Sequence, residues 1–202
     1  MALDKPDQPR TGNPAMGPAA LLRAEVERLK ADLIKAEWKI AELEARADID
    51  PLLDIFNRRG FERELARSLA YVKRYRTAAV LVYIDLDGFK AVNDRHGHAA
   101  GDALLKAVAR QLTSHVRASD VVARLGGDEF AVLMWNVSDT HAVAKARELE
   151  AVIAAAGAGE GAARVSVGAS AGIVPLSGDA TPAAISEAAD KAMYARKKEL
   201  RG

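Results

Sequence analysis

The sequence predicts an α+β fold of the ferredoxin-like kind, a mixed sheet covered by helices, preceded by one long coiled-coil helix. Three observations predict it. An apolar seam with a 3.5-residue period runs through residues 20–49. Beyond it, patterns follow in the order helix–strand–helix–strand–strand–helix–strand–helix. Half of the 202 residues are hydrophobic, enough for a sizeable core in one globular domain plus an extension.

Residues 1–18 are rich in Pro, Gly and polar residues and read as a flexible tail, because they bury too little surface to offset ordering entropy. Residues 19–49 form the seam. Val26, Leu33, Ile40 and Ala47 take the first core position of each heptad, and Leu22, Leu29, Ala36 and Leu43 the second. Partly β-branched first positions with mostly Leu at the second favour a parallel two-stranded coil, hence a homodimer. In that register Glu25 faces Lys30 of the partner subunit. Trp38 breaks the polarity of the outer faces. Asp50-Pro51 stops the helix, since proline lacks a backbone donor and restricts its predecessor.

The globular domain then occupies residues 50–202. A helix is predicted over 57–74, and a strand over 78–84 running into Asp85-Leu86-Asp87. A helix follows over 99–116, then two strands within VVARLGGDEFAVLMW, residues 121–135. A helix near 139–156, a strand near 164–174 and a helix over 181–199 complete the order. No internal repeat is visible.

Composition narrows the chemistry. With 29 basic and 28 acidic residues the net charge is +1, which gives no general attraction to nucleic acid or an anionic membrane. The absence of cysteine excludes disulfides, thiolate catalysis and cysteine-ligated zinc. No apolar run reaches the roughly 18–20 residues that span a bilayer, and the N-terminus lacks the apolar centre of a signal peptide. A soluble, cytoplasmic protein without a membrane span is expected.

The chemistry concentrates at two strand ends. Gly126-Gly127 reads as the tip of a two-residue hairpin, where glycine supplies the positive φ of tight turns and lets backbone approach a ligand. Asp128 and Glu129 then open the outgoing strand and point to opposite faces. Asp85 and Asp87 close the preceding strand. Carboxylates from two strand ends are how oxygen-only Mg²⁺ sites are commonly built. A calcium loop starting at Asp85 is excluded, because Phe89 and Lys90 stand where it needs an acid or amide and a glycine.

RLGGDEF, together with DLDGFKAVNDRHGHAAGDALL, resembles the GGDEF family of diguanylate cyclases. NRRGF at 57–61, Ser170-Ala171-Gly172 and ADKAMYARK at 189–197 fall in the same order, so the resemblance covers residues 50–201. It implies a nucleotidyl cyclase, or palm-type, version of the fold. It also implies condensation of two GTP into cyclic di-GMP with release of two pyrophosphates, at sites that face each other in a dimer. By resemblance Asp85, the Leu86 carbonyl and Asp128 hold Mg²⁺, with Mn²⁺ an alternative and two ions per active site. Glu129 helps hold metal or takes the 3′-hydroxyl proton. Asn93 and Asp102 read guanine, and Lys90, Lys197 and Arg201 hold phosphates. Gly126 and Gly127 lie against the nucleotide. Arg117 and Asp120, in the spacing Arg-x-x-Asp, resemble the family's product-inhibition site, with Arg147 as companion.

The physics agrees with these roles. Phosphoryl transfer needs positioning and charge neutralisation more than covalent help. The N–H donors of guanine suit a carboxylate, and its acceptors suit an amide. The sequence departs from the family at Leu53-Asp54-Ile55, where members commonly carry Thr-Gly-Leu, and it lacks the final Asn of the Gly-Arg-Asn ending. The alternative reading is a catalytically silent receptor for GTP or cyclic di-GMP that signals through the coil.

Overall fold

The computed structural model describes residues 18–159 and 164–201. The tail predicted for 1–18 lies outside the described residues except for Pro18, which opens α1 (Pro18–Ala47). The chain divides into two compact units, with the boundary between Glu44 and Ala45. In the first unit, the seam residues Leu22, Val26, Leu29 and Leu33 are all exposed, Leu33 at 59%. Glu25 pairs with Arg28 and Lys30 with Glu27 along the helix itself. Such exposed pairs contribute only a few tenths of a kcal/mol each, roughly 0.3–0.5. Among the described residues, no helix is long and apolar enough to cross a membrane.

The second unit is built on a four-stranded sheet of order β2-β3-β1-β4, with neighbours antiparallel throughout. Its elements are α2 (Arg58–Tyr75), β1 (Ala79–Asp87), α3 (Phe89–His96), α4 (His98–Ser114), β2 (Val121–Gly126), β3 (Glu129–Trp135), α5 (Asp139–Ala155), β4 (Gly168–Pro175) and α6 (Pro182–Arg201). This is the predicted ferredoxin-like α+β layer. Among the described residues, parallel pairing is confined to a single bridge, Phe56 against Ala123 on the outer side of β2, so the sheet is antiparallel where a mixed one was expected.

Alternation along β1 sorts the two faces. Val80, Val82, Ile84 and Leu86 join Phe130, Val132 and Met134 in a core with Leu105 and Leu112 of α4 and Leu149 and Ile153 of α5. Ala79, Leu81 and Tyr83 join Ala131 and Leu133 under Phe61, Leu65 and Leu69 of α2 and Ile185 and Ala189 of α6. A strand buried on both faces reads as a continuous apolar run, as AVLVYI does.

Three local features differ from the sequence reading. The helix predicted over 99–116 is preceded by a separate α3, set off by Gly88 at φ 80° and Gly97 at φ 81°. The hairpin tip is Gly127-Asp128 rather than Gly126-Gly127, because Gly126 pairs with Glu129 after a bulge at Leu125. Neither hairpin glycine has positive φ, so the expected backbone reason for them does not hold.

The segment joining the two units is tightly tied within the second. Asp50 Oδ1 accepts from the backbone of Leu52 at 2.9 Å and Leu53 at 3.0 Å, and its Oδ2 pairs with Arg124 at 3.2 Å. Asp54, in the middle of the departure from the family pattern, sits at φ 55°. Glycine enters that region freely and Asp tolerates it, so the turn survives the substitution.

Helix α6 lies directly on β4. A Cβ at Gly172 would sit 2.1 Å from the Met193 nitrogen and 2.6 Å from the Ala189 carbonyl oxygen, both backbone atoms. Only glycine permits that approach. Gly172→Ala is expected to push α6 off the sheet and lower unfolding free energy by about 3 kcal/mol, read by urea denaturation.

Candidate active site

Asp85 of β1 and Glu129 of β3 are direct cross-strand partners. Antiparallel partners share a face, so both carboxylates stand on the α2/α6 side of the sheet. Each meets a cation. Lys197 of α6 ion-pairs with Asp85, and its Nζ also lies 3.7 Å from Asp87 Oδ1. Arg58, the first residue of α2, donates from Nη2 to Glu129 Oε2 at 3.2 Å and from Nε to the Leu125 carbonyl at 2.7 Å. The Asp85–Lys197 pair is largely desolvated, with side chains 15% and 20% exposed.

Asp87 supports this centre. Its Oδ2 accepts from the Ser170 hydroxyl at 2.9 Å, while Oδ1 is buried with no hydrogen-bond donor among the described residues. Asp128 sits in the turn, and its carbonyl accepts from the Leu86 amide at 3.0 Å. That bond draws the hairpin tip against the end of β1. Arg124 holds the other side of the tip, donating from Nε and Nη2 to the Gly127 carbonyl at 3.2 and 2.8 Å. A Cβ at Gly127 would meet no atom within 4 Å, and one at Gly126 none closer than 3.7 Å. The chain itself leaves open the space over both glycines.

The remaining predicted residues fall nearby or elsewhere. Asn93 of α3 packs on α4. A Cβ at Gly101 would lie 1.9 Å from Asn93 Oδ1, so Gly101 makes room for that amide. Asp102 is the next residue and is exposed. Lys90 is exposed on α3. Arg201 ends α6, and its side chain lies outside the described residues.

Among the described residues, no three histidine or carboxylate side chains converge closely enough to hold a metal. The donor set present is the two cross-strand carboxylates of Asp85 and Glu129, with the orphaned oxygen of Asp87 farther along β1 on the same face. These are hard oxygen donors. Mg²⁺ is usually bound through one or two carboxylates plus substrate phosphates rather than an all-protein cage, so the residues fit that ion.

The product-site prediction divides. Arg117 and Asp120 line a hollow of about 740 Å³ with His115, His141, Lys145 and Glu148. Asp120 is already engaged, Oδ2 accepting from the Arg117 amide at 2.9 Å and Oδ1 from the Trp135 amide at 3.1 Å. Arg147 does not line this hollow. It faces a separate one with Glu150 and Arg196. Residues two apart on a helix point roughly 200° apart, which places Lys145 on the side of this hollow and Arg147 on the other.

Sequence reasoning missed Glu150 and the direct contact of Ser170 with Asp87. Arg196 donates from Nε and Nη2 to the two oxygens of Glu150 at 3.1 and 2.9 Å, and Glu150 Oε1 also accepts from the Ala171 amide at 2.9 Å. Hydrogen bonding to Glu150 raises the Arg196 pKa further. Burial pushes the Tyr83 phenol up, against a smaller opposing effect of its hydrogen bond with Ser186. Glu150 and Arg196 are 46 positions apart, and no local pattern pairs them.

Comparison with known proteins adds the following. The family model described as "Diguanylate cyclase, GGDEF domain" matches residues 47–202. The chain is 42% identical over 174 residues to the probable diguanylate cyclase DgcE of Escherichia coli K12, covering 85% of this chain and 16% of that protein. It is 41% identical over 182 residues to diguanylate cyclase TpbB of Pseudomonas aeruginosa, covering 89% of this chain and 42% of that one. The chain thus spans less than half the length of these curated relatives. The GGDEF domain of DgcB from Caulobacter crescentus, solved in complex with c-di-GMP, superposes with a TM-score of 0.70 at 26% identity, over 76% of this chain and 91% of that one.

Proposed function

The chain belongs to the GGDEF family of diguanylate cyclases, and we propose that it condenses two GTP into cyclic di-GMP with release of two pyrophosphates. The observation that carries this reading is the face-to-face placement of Asp85 and Glu129 with Lys197 beside them. Two carboxylates and one ammonium at the mouth of a sheet provide for a triphosphate and its counter-ion together.

In this reading Asp85, the Leu86 carbonyl, Asp128 and Glu129 hold divalent cations, Mg²⁺ or Mn²⁺. Bound there, such cations would supply charge neutralisation for the attacking and leaving oxygens. Lys197, Lys90 and Arg201 bind the phosphates. Gly126 and Gly127, with open space over their Cα atoms, let the nucleotide lie on the hairpin backbone. Asn93 and Asp102 read guanine. The 3′-oxygen of one GTP attacks the α-phosphorus of the GTP on the facing subunit. A new ester bond forms, the bond to the β-bridging oxygen breaks, and pyrophosphate leaves. Glu129 either completes the cation shell or accepts the 3′-hydroxyl proton.

Each half-site needs a second copy, and the exposed seam of α1 supports a parallel homodimer. Product feedback uses the Arg117–Asp120 hollow, which Lys145 also lines.

Incubation of the pure chain with GTP and Mg²⁺, followed by chromatography, is expected to show cyclic di-GMP. GTP binding without product would instead favour the silent receptor. Glu129→Gln is expected to lower turnover by about 10³-fold or more while leaving the melting temperature near that of the parent. Deleting residues 1–46 is expected to make the rate per subunit rise steeply with protein concentration. Replacing Arg117 with alanine is expected to leave the initial rate unchanged and to relieve the slowing of progress curves as product accumulates.

A further inference from the structure

We infer that Glu150 and Arg196 are positioning residues for Lys197, which rests on the reading above that Lys197 holds the triphosphate. Arg196 and Lys197 are consecutive on α6 and leave it roughly 100° apart. Arg196 reaches α5, where its two donors meet both oxygens of Glu150. Lys197 reaches β1, where it meets Asp85 and Asp87. The two directions are tied together through β4. Glu150 accepts from the Ala171 amide, the neighbouring Ser170 donates to Asp87, and Asp87 faces Lys197. The contacts close a ring from α6 through α5, β4 and β1 back to α6.

That ring has a specific task. Close packing on Gly172 fixes the middle of α6 at Ala189 and Met193. Beyond Met193, the large residues Tyr194 and Leu200 are exposed, at 56% and 51%, and give the last turns little apolar anchorage. The Glu150–Arg196 pair supplies it. Its side chains are 13% and 28% exposed, and a two-pronged guanidinium–carboxylate contact fixes orientation as well as distance. When Lys197 turns from Asp85 to a phosphate oxygen, the helix end stays where Arg196 holds it. The ammonium then moves by side-chain rotation alone. Loosening the pair leaves the ammonium present and spreads it over more positions, which weakens nucleotide binding.

Calorimetric titration of the full chain with a GTP analogue carrying a methylene between the α- and β-phosphates tests this. Arg196→Met and Glu150→Gln, the latter keeping an acceptor for the Ala171 amide, are each expected to weaken binding about fivefold or more. In a Lys197→Met background the same substitutions are expected to change affinity by less than about 1.5-fold, because nothing remains to be positioned. Arg196→Lys is expected to recover part of the loss. A merely structural pair would lower the melting temperature and weaken binding equally in both backgrounds, and that outcome overturns the inference, as does undiminished affinity in the parent background. If Lys197→Met alone binds the analogue as the parent does, the phosphate-holding reading beneath fails, and the inference with it.

Discussion

The register of β1 against β3 decides where the chemistry falls. Ile84 opposite Phe130, and Asp85 opposite Glu129, place the last apolar pair and the first acidic pair on successive rungs. Because side chains alternate, a slip of one residue would send Leu81 and Tyr83 into the α4/α5 core and carry Asp85 to the wrong face. The apolar residues therefore fix the acids without touching them. Val80, Val82 and Ile84 lie in the α4/α5 core, and Ala79 and Leu81 in the other.

On that register the cationic elements converge. Helix α2 brings Arg58 to Glu129 and to the Leu125 carbonyl, and α6 brings Lys197 to Asp85. Each helix reaches its acid because something brings it close to the sheet. For α6 it is the bare Cα of Gly172. For α2 it is Asn57, whose side chain accepts from the Gly60 amide at 3.0 Å and sets the first turn beside the hairpin. One largely buried and one half-exposed acid thus acquire fixed partners from the first and last helices of the second unit.

Much of this was legible from the residues. The order of the larger elements, the apolar run AVLVYI and the period of the long helix all follow from spacing, and ordered motifs located the acids. What escaped has physical reasons. Helix α3 carries only Phe89 and Val92 as large apolar residues, too few to show a period, and its limits are set by two glycines at positive φ. The hairpin tip moved by one residue because Leu125 is buried and bulged, which no dipeptide rule anticipates. Which residues of α5 line the hollow beside Arg117, Lys145 among them, depends on how that helix is rotated on the sheet, and a motif's spacing does not carry that. The pairing of Glu150 with Arg196 depends on how two helices pack on β4, a tertiary fact absent from either local sequence.

The two outer strands raise a separate matter. A sheet edge with unpaired amides is a template for another chain. Along β2, Phe56 takes that place, donating to the Val122 carbonyl at 3.2 Å and accepting from the Arg124 amide at 2.7 Å. Along β4, a glutamate oxygen occupies the Ala171 amide. Neither border offers a neighbour a long uninterrupted ladder, so crowding such molecules together gives strand-to-strand aggregation little foothold.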